Sequence, residues 1–186
     1  DMGHGIAKVL VENNFKVLSF LKGRSKRTLK LAKEAKVLNI DNFDDLKRAY
    51  NEITEKFGER VSISPFIDED GIEMILGISN DDQFGPLVLI GFGGVYTEVF
   101  NEVILLLPPF NLEEVSIALE SLPHFEILKG VRGGITVDIE SYCRAAVGLS
   151  QFAVDYGHNV KELDINPIKV MQKGCVGLDM LLVNKF

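Results

Sequence analysis

The sequence predicts an α+β fold, with a mixed, largely antiparallel sheet and helices, and three observations support this prediction. Two apolar runs of strand length, Glu73–Ile78 and Leu87–Phe92, are rich in aliphatic residues and are typical of half-buried strands. Residues 138–156 carry apolar side chains at helical spacing behind a helix-capping aspartate, which predicts a long amphipathic helix. Two further strands, Val160–Met171 and Val176–Val183, are predicted after that helix.

The composition favours a globular protein. The chain has 186 residues, of which 46% are hydrophobic, enough for one ordinary domain or two small ones. No window has the apolar length of a membrane span, and no signal peptide is recognisable at the N-terminus. We therefore expect a cytoplasmic protein that does not bind membranes. The two cysteines, Cys143 and Cys175, lack the spacing of a zinc site or a disulfide framework.

Charge divides the chain into a basic and an acidic part. Residues 1–36 contain nine Lys or Arg and three Asp or Glu, whereas residues 37–186 contain eleven and twenty-four. Such a step indicates two segments of different origin or role. Because apolar residues are interleaved throughout the basic part, a solvated helix face is favoured over a nucleic-acid-binding arm.

The basic part has the order glycine turn, helix, strand, basic loop, helix. Helices are predicted at 3–13 and 24–35, with a strand at 16–21 between them. This order is that of the end of a dinucleotide-binding βαβ unit.

The acidic part alternates short strands and helices. Pro108-Pro109 closes one of the strands because proline supplies no amide donor, and the acidic turn 68–71 predicts an antiparallel hairpin between the strands on either side of it. The predicted elements, besides those above, are strands at 36–40, 60–67 and 103–107, helices at 42–57, 112–121 and 124–129, and loops at 79–86 and 130–134.

Gly93-Gly94 follows the second apolar strand and is itself followed by Glu98. Glycine lets the backbone approach a ligand closely or adopt positive φ, so the pair suits a phosphate site. Taken alone, two glycines after a strand more often form a plain turn.

Three oxygen-bearing side chains lie on the two C-terminal strands. Strand alternation lets Asp164, Asn166 and Asp179 converge on one face of the sheet. Such ligands suit a Mg²⁺ ion that also holds substrate phosphates. The alternative is that all three occupy exposed positions of a hairpin.

The N-terminal strings MGHGIAKVL and VLSFLKGRS resemble the NAD(P)-binding domain of β-hydroxyacid dehydrogenases. The resemblance implies a truncated dinucleotide-binding segment over residues 1–36, since only Gly3 and Gly5 of the glycine fingerprint are present. Arg24 and Ser25 stand where an acidic residue would bind the ribose, which in that family favours NADP. We expect no working dinucleotide site in this segment.

The strings GIEMILGISNDDQFGPLVLIGFGGVYTEV, LKGVRGG and ELDINPIKV resemble the ATP-grasp domain of NDP-forming acyl-CoA synthetases, the group that includes ADP-forming acetate-CoA ligases. The resemblance covers residues 37–186, corresponds to the second ATP-grasp subdomain and implies ATP or ADP and Mg²⁺ as cofactors. It implies three groups of site residues: Asn166 and Asp179 as metal ligands with Asp164 beside the metal; Gly93, Gly94 and Glu98 in a loop that faces the phosphates; and Glu73 and Arg132 provisionally at the nucleotide or phosphoryl-transfer site.

The same resemblance implies partners. Relatives carry a first ATP-grasp subdomain and a CoA-ligase or CoA-binding domain, so we expect the isolated chain to be inactive and to act in an oligomeric assembly. None of His4, His124 and His158 matches the family's phosphorylated histidine, and Ser64-Pro65 stands where relatives have a Gln-Glu pair. Two alternatives remain open, namely a non-catalytic regulatory domain like those of some protein acetyltransferases, and an NADP-dependent dehydrogenase fragment.

Overall fold

The structure, a computed structural model, describes residues 17–20, 40, 42–57, 62–65, 67, 69–94 and 102–185. The chain divides into two units, residues 1–68 and 69–186. The helices predicted at 3–13 and 24–35 lie outside the described residues.

In the first unit, a helix separates two paired strands along the sequence. Strand β1 (Val17–Phe20) pairs antiparallel with β2 (Ser62–Pro65), and α1 (Phe43–Phe57) lies between them in sequence. The sequence predicts either Asp41 or Asn42 as the cap of this helix. Asn42 caps α1, since its Oδ1 accepts a hydrogen bond from the Asp45 amide at 2.9 Å.

The prediction of a hairpin across residues 68–71 is wrong. Strand β2 pairs with β1, and the next strand, β3 (Gly71–Asp81), has a partner on each of its edges. One partner follows β3 after a tight turn and the other is the 12-residue C-terminal strand Val160–Met171. These longer apolar strands offer β3 more ladder hydrogen bonds and more buried side chains than the short strand β2 does.

The second unit is built on a six-stranded sheet with the order β5 (Val103–Leu106), β4 (Gly85–Phe92), β3, β6 (Val160–Met171) and β7 (Cys175–Gly177), in which β8 (Met180–Asn184) also pairs with β6. Every strand pairing among the described residues is antiparallel, which confirms the predicted fold class. The elements that follow β3 are β4 (Gly85–Phe92), β5 (Val103–Leu106), α2 (Leu112–Glu120), 3₁₀ helices at Phe125–Lys129 and Val131–Gly133, α3 (Ile139–Tyr156), β6 (Val160–Met171), β7 (Cys175–Gly177) and β8 (Met180–Asn184).

The core of this unit lies between one face of the sheet and the two α-helices. Alternate residues of β3 and β4 point into it, and the predicted apolar face of α3 packs against them. The largest fully buried side chains are Tyr142, Phe92, Met74, Leu76, Ile78, Ile90, Leu119, Leu128 and Val88.

Both α-helices begin at the residues that their sequences indicate. Asn111 and Glu114 form a capping box at α2. Asp138 caps α3, with its carboxylate accepting hydrogen bonds from the amide of Ser141 at 3.0 Å and from that of Gly174 at 2.9 Å. These contacts, led by the one from Gly174, lower the pKa of Asp138.

Two boundaries differ from the predictions. The polar loop expected at 79–86 is a short turn, because β3 continues to Asp81, whose carboxylate accepts hydrogen bonds from the amides of Gln83 and Phe84. The final strand predicted at 176–183 is divided into β7 and β8, with Asp179 in the break. No helix among the described residues is long and apolar enough to span a membrane.

Candidate functional site

The glycine pair lies at the end of β4, directly against the start of β3. The amide of Gly93 donates a hydrogen bond to the carbonyl oxygen of Glu73 at 2.9 Å. A Cβ at Gly93 would overlap the backbone carbonyl of Met74. Only glycine therefore allows this close approach of the two strands.

Gly94 lies against the carboxylate of Glu73. Its φ of +57° is in the left-handed region, which L-amino acids with side chains seldom adopt. A Cβ there would lie 2.8 Å from Cδ of Glu73 and would overlap one carboxylate oxygen. The missing side chain at Gly94 thus makes room for the Glu73 carboxylate.

Asn166 connects this corner to the C-terminal strands. Its side-chain Oδ1 accepts a hydrogen bond from the backbone amide of Gly94 at 3.3 Å. Its backbone amide donates to the carbonyl oxygen of Asp179 at 3.1 Å. Asn166 and Pro167 together stand opposite the single residue Ile75 of β3, where the β3–β6 register shifts. This bulge sets Asn166 apart from the regular ladder.

The described part of the chain therefore brings together four of the predicted site positions: Glu73, Gly93, Gly94 and Asn166, with the backbone of Asp179 joined to them. Asp164 lies two residues before Asn166, in register with Gly77 on one side and Leu181 on the other. Glu98 lies outside the described residues. For Arg132 only the backbone is described, in the 3₁₀ turn Val131–Gly133.

The site offers hard oxygen donors rather than soft ligands. Among the described residues, no three His, Cys, Asp or Glu side chains form a cluster that could hold a metal ion. The predicted ligand set of Asp164, Asn166 and Asp179 includes an amide and stays a prediction. An amide oxygen has two lone pairs, so the hydrogen bond from Gly94 does not by itself prevent Asn166 from binding a cation.

Both amides of the glycine pair donate hydrogen bonds within the chain. Gly93 donates to Glu73 and Gly94 donates to Asn166, so both donors have protein partners. In this structure the pair serves close approach of backbone and side chains. The amide of Gly94 can donate a hydrogen bond to a phosphate only if its hydrogen bond to Asn166 is broken.

Tyr142 of α3 makes a polar contact that the sequence did not predict, two residues along the strands from Glu73 and Gly93. The hydroxyl of Tyr142 donates a hydrogen bond to the carbonyl oxygen of Ile75 at 2.6 Å and accepts one from the amide of Gly91 at 3.3 Å. Burial raises the pKa of Tyr142 above its ordinary value of 10.0. The sequence feature that could have indicated this contact is the tyrosine on the apolar face of α3, since a buried hydroxyl needs a hydrogen-bond partner.

A second unpredicted contact lies where the described chain resumes after residue 94. Oε1 of Glu102 is 2.6 Å from Nδ1 of His124, and the Glu102 side chain is only 15% exposed. The carbonyl oxygen of Glu102 occupies the space that a Cβ at Gly91 would need. This pair therefore joins the start of β5 to the region before the first 3₁₀ helix.

A family model described as an ATP-grasp domain matches residues 12–183. This chain belongs to the ATP-grasp family. The match includes every predicted site residue and extends to residue 12, into the segment predicted to be dehydrogenase-like, and it does not support that prediction.

Two relatives of this ATP-grasp chain are ADP-forming acetate–CoA ligases. The chain is 31% identical to acetate–CoA ligase [ADP-forming] I of Archaeoglobus fulgidus over 154 residues, which are 78% of this chain and 22% of that protein. It is also 31% identical to the β subunit of acetate–CoA ligase [ADP-forming] II of Pyrococcus furiosus, covering 76% of this chain and 64% of that subunit. The ATP-grasp chain thus spans only part of either relative.

A solved structure supports the same family assignment. The dinucleotide-forming acetyl-coenzyme A synthetase 1 of Ca. Korarchaeum cryptofilum, in complex with coenzyme A and Mg-AMPPCP, superposes with a TM-score of 0.79 at 26% identity. The similarity covers 96% of this chain and 81% of that one. In that complex the phosphohistidine segment points towards the nucleotide-binding site.

Proposed function

We propose that this ATP-grasp chain is the nucleotide-binding part of an NDP-forming acyl-CoA synthetase. Such an enzyme converts acyl-CoA, ADP and phosphate into the carboxylic acid, CoA and ATP. The observation that carries the proposal is the junction at Gly94, where the Glu73 carboxylate and the Asn166 amide oxygen meet the end of β4. The similarity to ADP-forming ligases supports it.

The charge of the junction favours a metal-bound nucleotide over a free one. Phosphates and the Glu73 carboxylate repel each other unless a cation lies between them. Mg²⁺, when bound, would neutralise phosphate charge and help to align the groups in phosphoryl transfer. Asn166 and Asp179 would hold it, with Asp164 beside them.

The chain's own residues would shape the phosphate side of the site. Gly93 and Gly94 keep side chains away from the nucleotide and allow Glu73 to reach the junction. Glu98 and Arg132 are proposed to act near the transferred phosphoryl group, where an arginine stabilises negative charge.

Ligand-induced stabilisation tests the proposal directly. Mg-ATP at about 100 times its Kd should raise the Tm by about 5–10 °C, because it binds only the folded chain. Asp179→Ala should abolish the shift, whereas Asp155→Ala, which removes an exposed carboxylate of α3, should retain it. EDTA should remove the shift in the unmodified chain. No shift with Mg-ATP would contradict nucleotide binding and would favour a non-catalytic regulatory domain.

The remainder of the activity is proposed to come from partners. Partner domains or subunits would supply the phosphorylated histidine and bind CoA, and a first ATP-grasp subdomain would add contacts to a nucleotide that this chain already binds. Incubation of the chain with ATP labelled at the γ-phosphate should therefore leave no acid-labile label on it. A labelled histidine in the isolated chain would contradict this division of labour.

A further inference from the structure

Tyr142 makes hydrogen bonds to two strands at once. Its hydroxyl donates to the carbonyl oxygen of Ile75 on β3 and accepts from the amide of Gly91 on β4. Ile75 and Gly91 are register partners in the β3–β4 pairing. A side chain of α3 thus bonds to both members of one backbone pair in the sheet.

This backbone pair is next to the candidate site. Two residues before Ile75 along β3 is Glu73, and two residues beyond Gly91 along β4 is Gly93, and these two are joined by a 2.9 Å hydrogen bond. Ile75 also faces the bulge formed by Asn166 and Pro167. A displacement of the Ile75–Gly91 pair would therefore be passed along the ladder to Glu73, Gly93 and Asn166.

The position of Gly91 is restrained from two directions. The carbonyl oxygen of Glu102 on the β5 side leaves no space for a Cβ at Gly91. The Tyr142 hydroxyl accepts a hydrogen bond from the Gly91 amide. Tyr142 is 1% exposed, so solvent does not compete for either hydrogen bond. A buried hydroxyl with satisfied donor and acceptor groups rigidifies the backbone that it contacts.

The phenol stays in its donating form. Burial raises its pKa far above the physiological range, so the proton that bonds to Ile75 is retained. An aliphatic side chain could fill the same core volume but could not bond to the two strands.

We propose that Tyr142 is a positioning residue of the site, which sets the position of the start of β3, at Glu73, relative to the end of β4, at Gly93-Gly94. It contacts the strands rather than any ligand. Its effect on nucleotide affinity rests on the proposed function, whereas its effect on the glycine pair does not.

Amide hydrogen exchange of the ligand-free full chain tests the positioning role without any nucleotide. Tyr142→Phe removes only the hydroxyl. It should speed exchange about five-fold at the amides of Gly91, Gly93 and Gly94, beyond any uniform change across the other strands. Tyr156→Phe is the matched control, since Tyr156 is 56% exposed on the same helix, and it should leave all three rates unchanged. Unchanged rates at Gly93 and Gly94 in Tyr142→Phe would overturn the inference.

Nucleotide affinity provides a second readout that a purely structural role would not change. Titration with Mg-AMPPCP should show a Kd about five-fold higher for Tyr142→Phe than for the unmodified chain or for Tyr156→Phe. Equal affinities would show that Tyr142 serves only packing and would overturn its role at the site. If the unmodified chain does not bind Mg-AMPPCP, the proposed function fails, and the exchange rates still decide the positioning role.

A measurement on the unmodified protein covers the case in which Tyr142→Phe does not fold. The Tyr142 hydroxyl proton should be visible by NMR in slow exchange with water and show a nuclear Overhauser effect to the Gly91 amide. Rapid exchange of that proton, or no effect to Gly91, would overturn the inference.

Discussion

The amide nitrogen of Gly94 and Oδ1 of Asn166 lie 3.3 Å apart, although 72 positions separate the two residues in the sequence. This hydrogen bond joins the end of β4 to the bulge of β6. Because the Glu73 carboxylate lies against the same glycine, Gly94 is the point at which three strands contribute to the candidate site. Changes at Gly94 should therefore affect ligand binding more than they affect stability.

Gly94→Ala tests this expectation. The alanine should cost about 1–2 kcal/mol in the free energy of unfolding, because φ is +57° and a left-handed residue with a Cβ is strained. Its Cβ would also force the Glu73 carboxylate away from the backbone. We expect Mg-ATP affinity, measured by calorimetry, to fall about tenfold or more.

Gly85→Ala is the matched control for this substitution. Gly85 has φ of +75° in the β3–β4 turn, and a Cβ there meets nothing within 4 Å. It should show a similar loss of stability with unchanged nucleotide affinity. Equal affinities in the two alanine variants would exclude a role for the space at Gly94.

Acid stability should depend on Asp138. Hydrogen bonds from Gly174 and Ser141 hold the folded-state pKa of this carboxyl below its ordinary value of 3.8. Its stabilising contribution is therefore complete above about pH 4 and is lost as the pH falls through the folded-state pKa. The difference in Tm between the unmodified chain and Asp138→Asn should be largest near neutral pH and should shrink below pH 4.

Asp155→Asn shows how much of this pH dependence comes from loss of a negative charge alone, since Asp155 is exposed on the same helix. A Tm difference for Asp138→Asn that stays constant down to pH 2 would contradict the assignment.

The buried hydroxyl of Ser150 should stabilise the loop that precedes α2. It accepts a hydrogen bond from the amide of Phe110 at 3.0 Å, and Ser150 is 1% exposed. Ser150→Ala leaves that amide without its partner, so denaturant unfolding should show a loss of about 1–3 kcal/mol. Ser121→Ala, at an exposed position where the hydroxyl bonds within the helix end, should cost less than about 0.5 kcal/mol. Equal losses would refute the role of the Ser150 bond.

Much of the local structure could be predicted from the sequence because it depends on neighbouring residues. The helix cap Asp138, the apolar face of α3 and the strands of the β3–β4 pair follow from capping chemistry and side-chain periodicity. The glycine pair and Asn166 were recognisable as site positions because they lie in long, specific strings. Local rules did not reveal that β3 continues to Asp81, because polar residues at a strand end are permitted where the strand reaches solvent.

The sequence by itself determined the α+β class, the order of the elements and the candidate residues Glu73, Gly93, Gly94 and Asn166. Only the tertiary structure decided that β2 pairs with β1 rather than β3, that Asp179 falls in a break between two strands, that Tyr142 bonds to β3 and β4, and that Glu102 pairs with His124. The physical reason is that strand pairing and buried hydrogen bonds depend on competition among partners far apart in the chain. That competition has no signature in the spacing of residues along it.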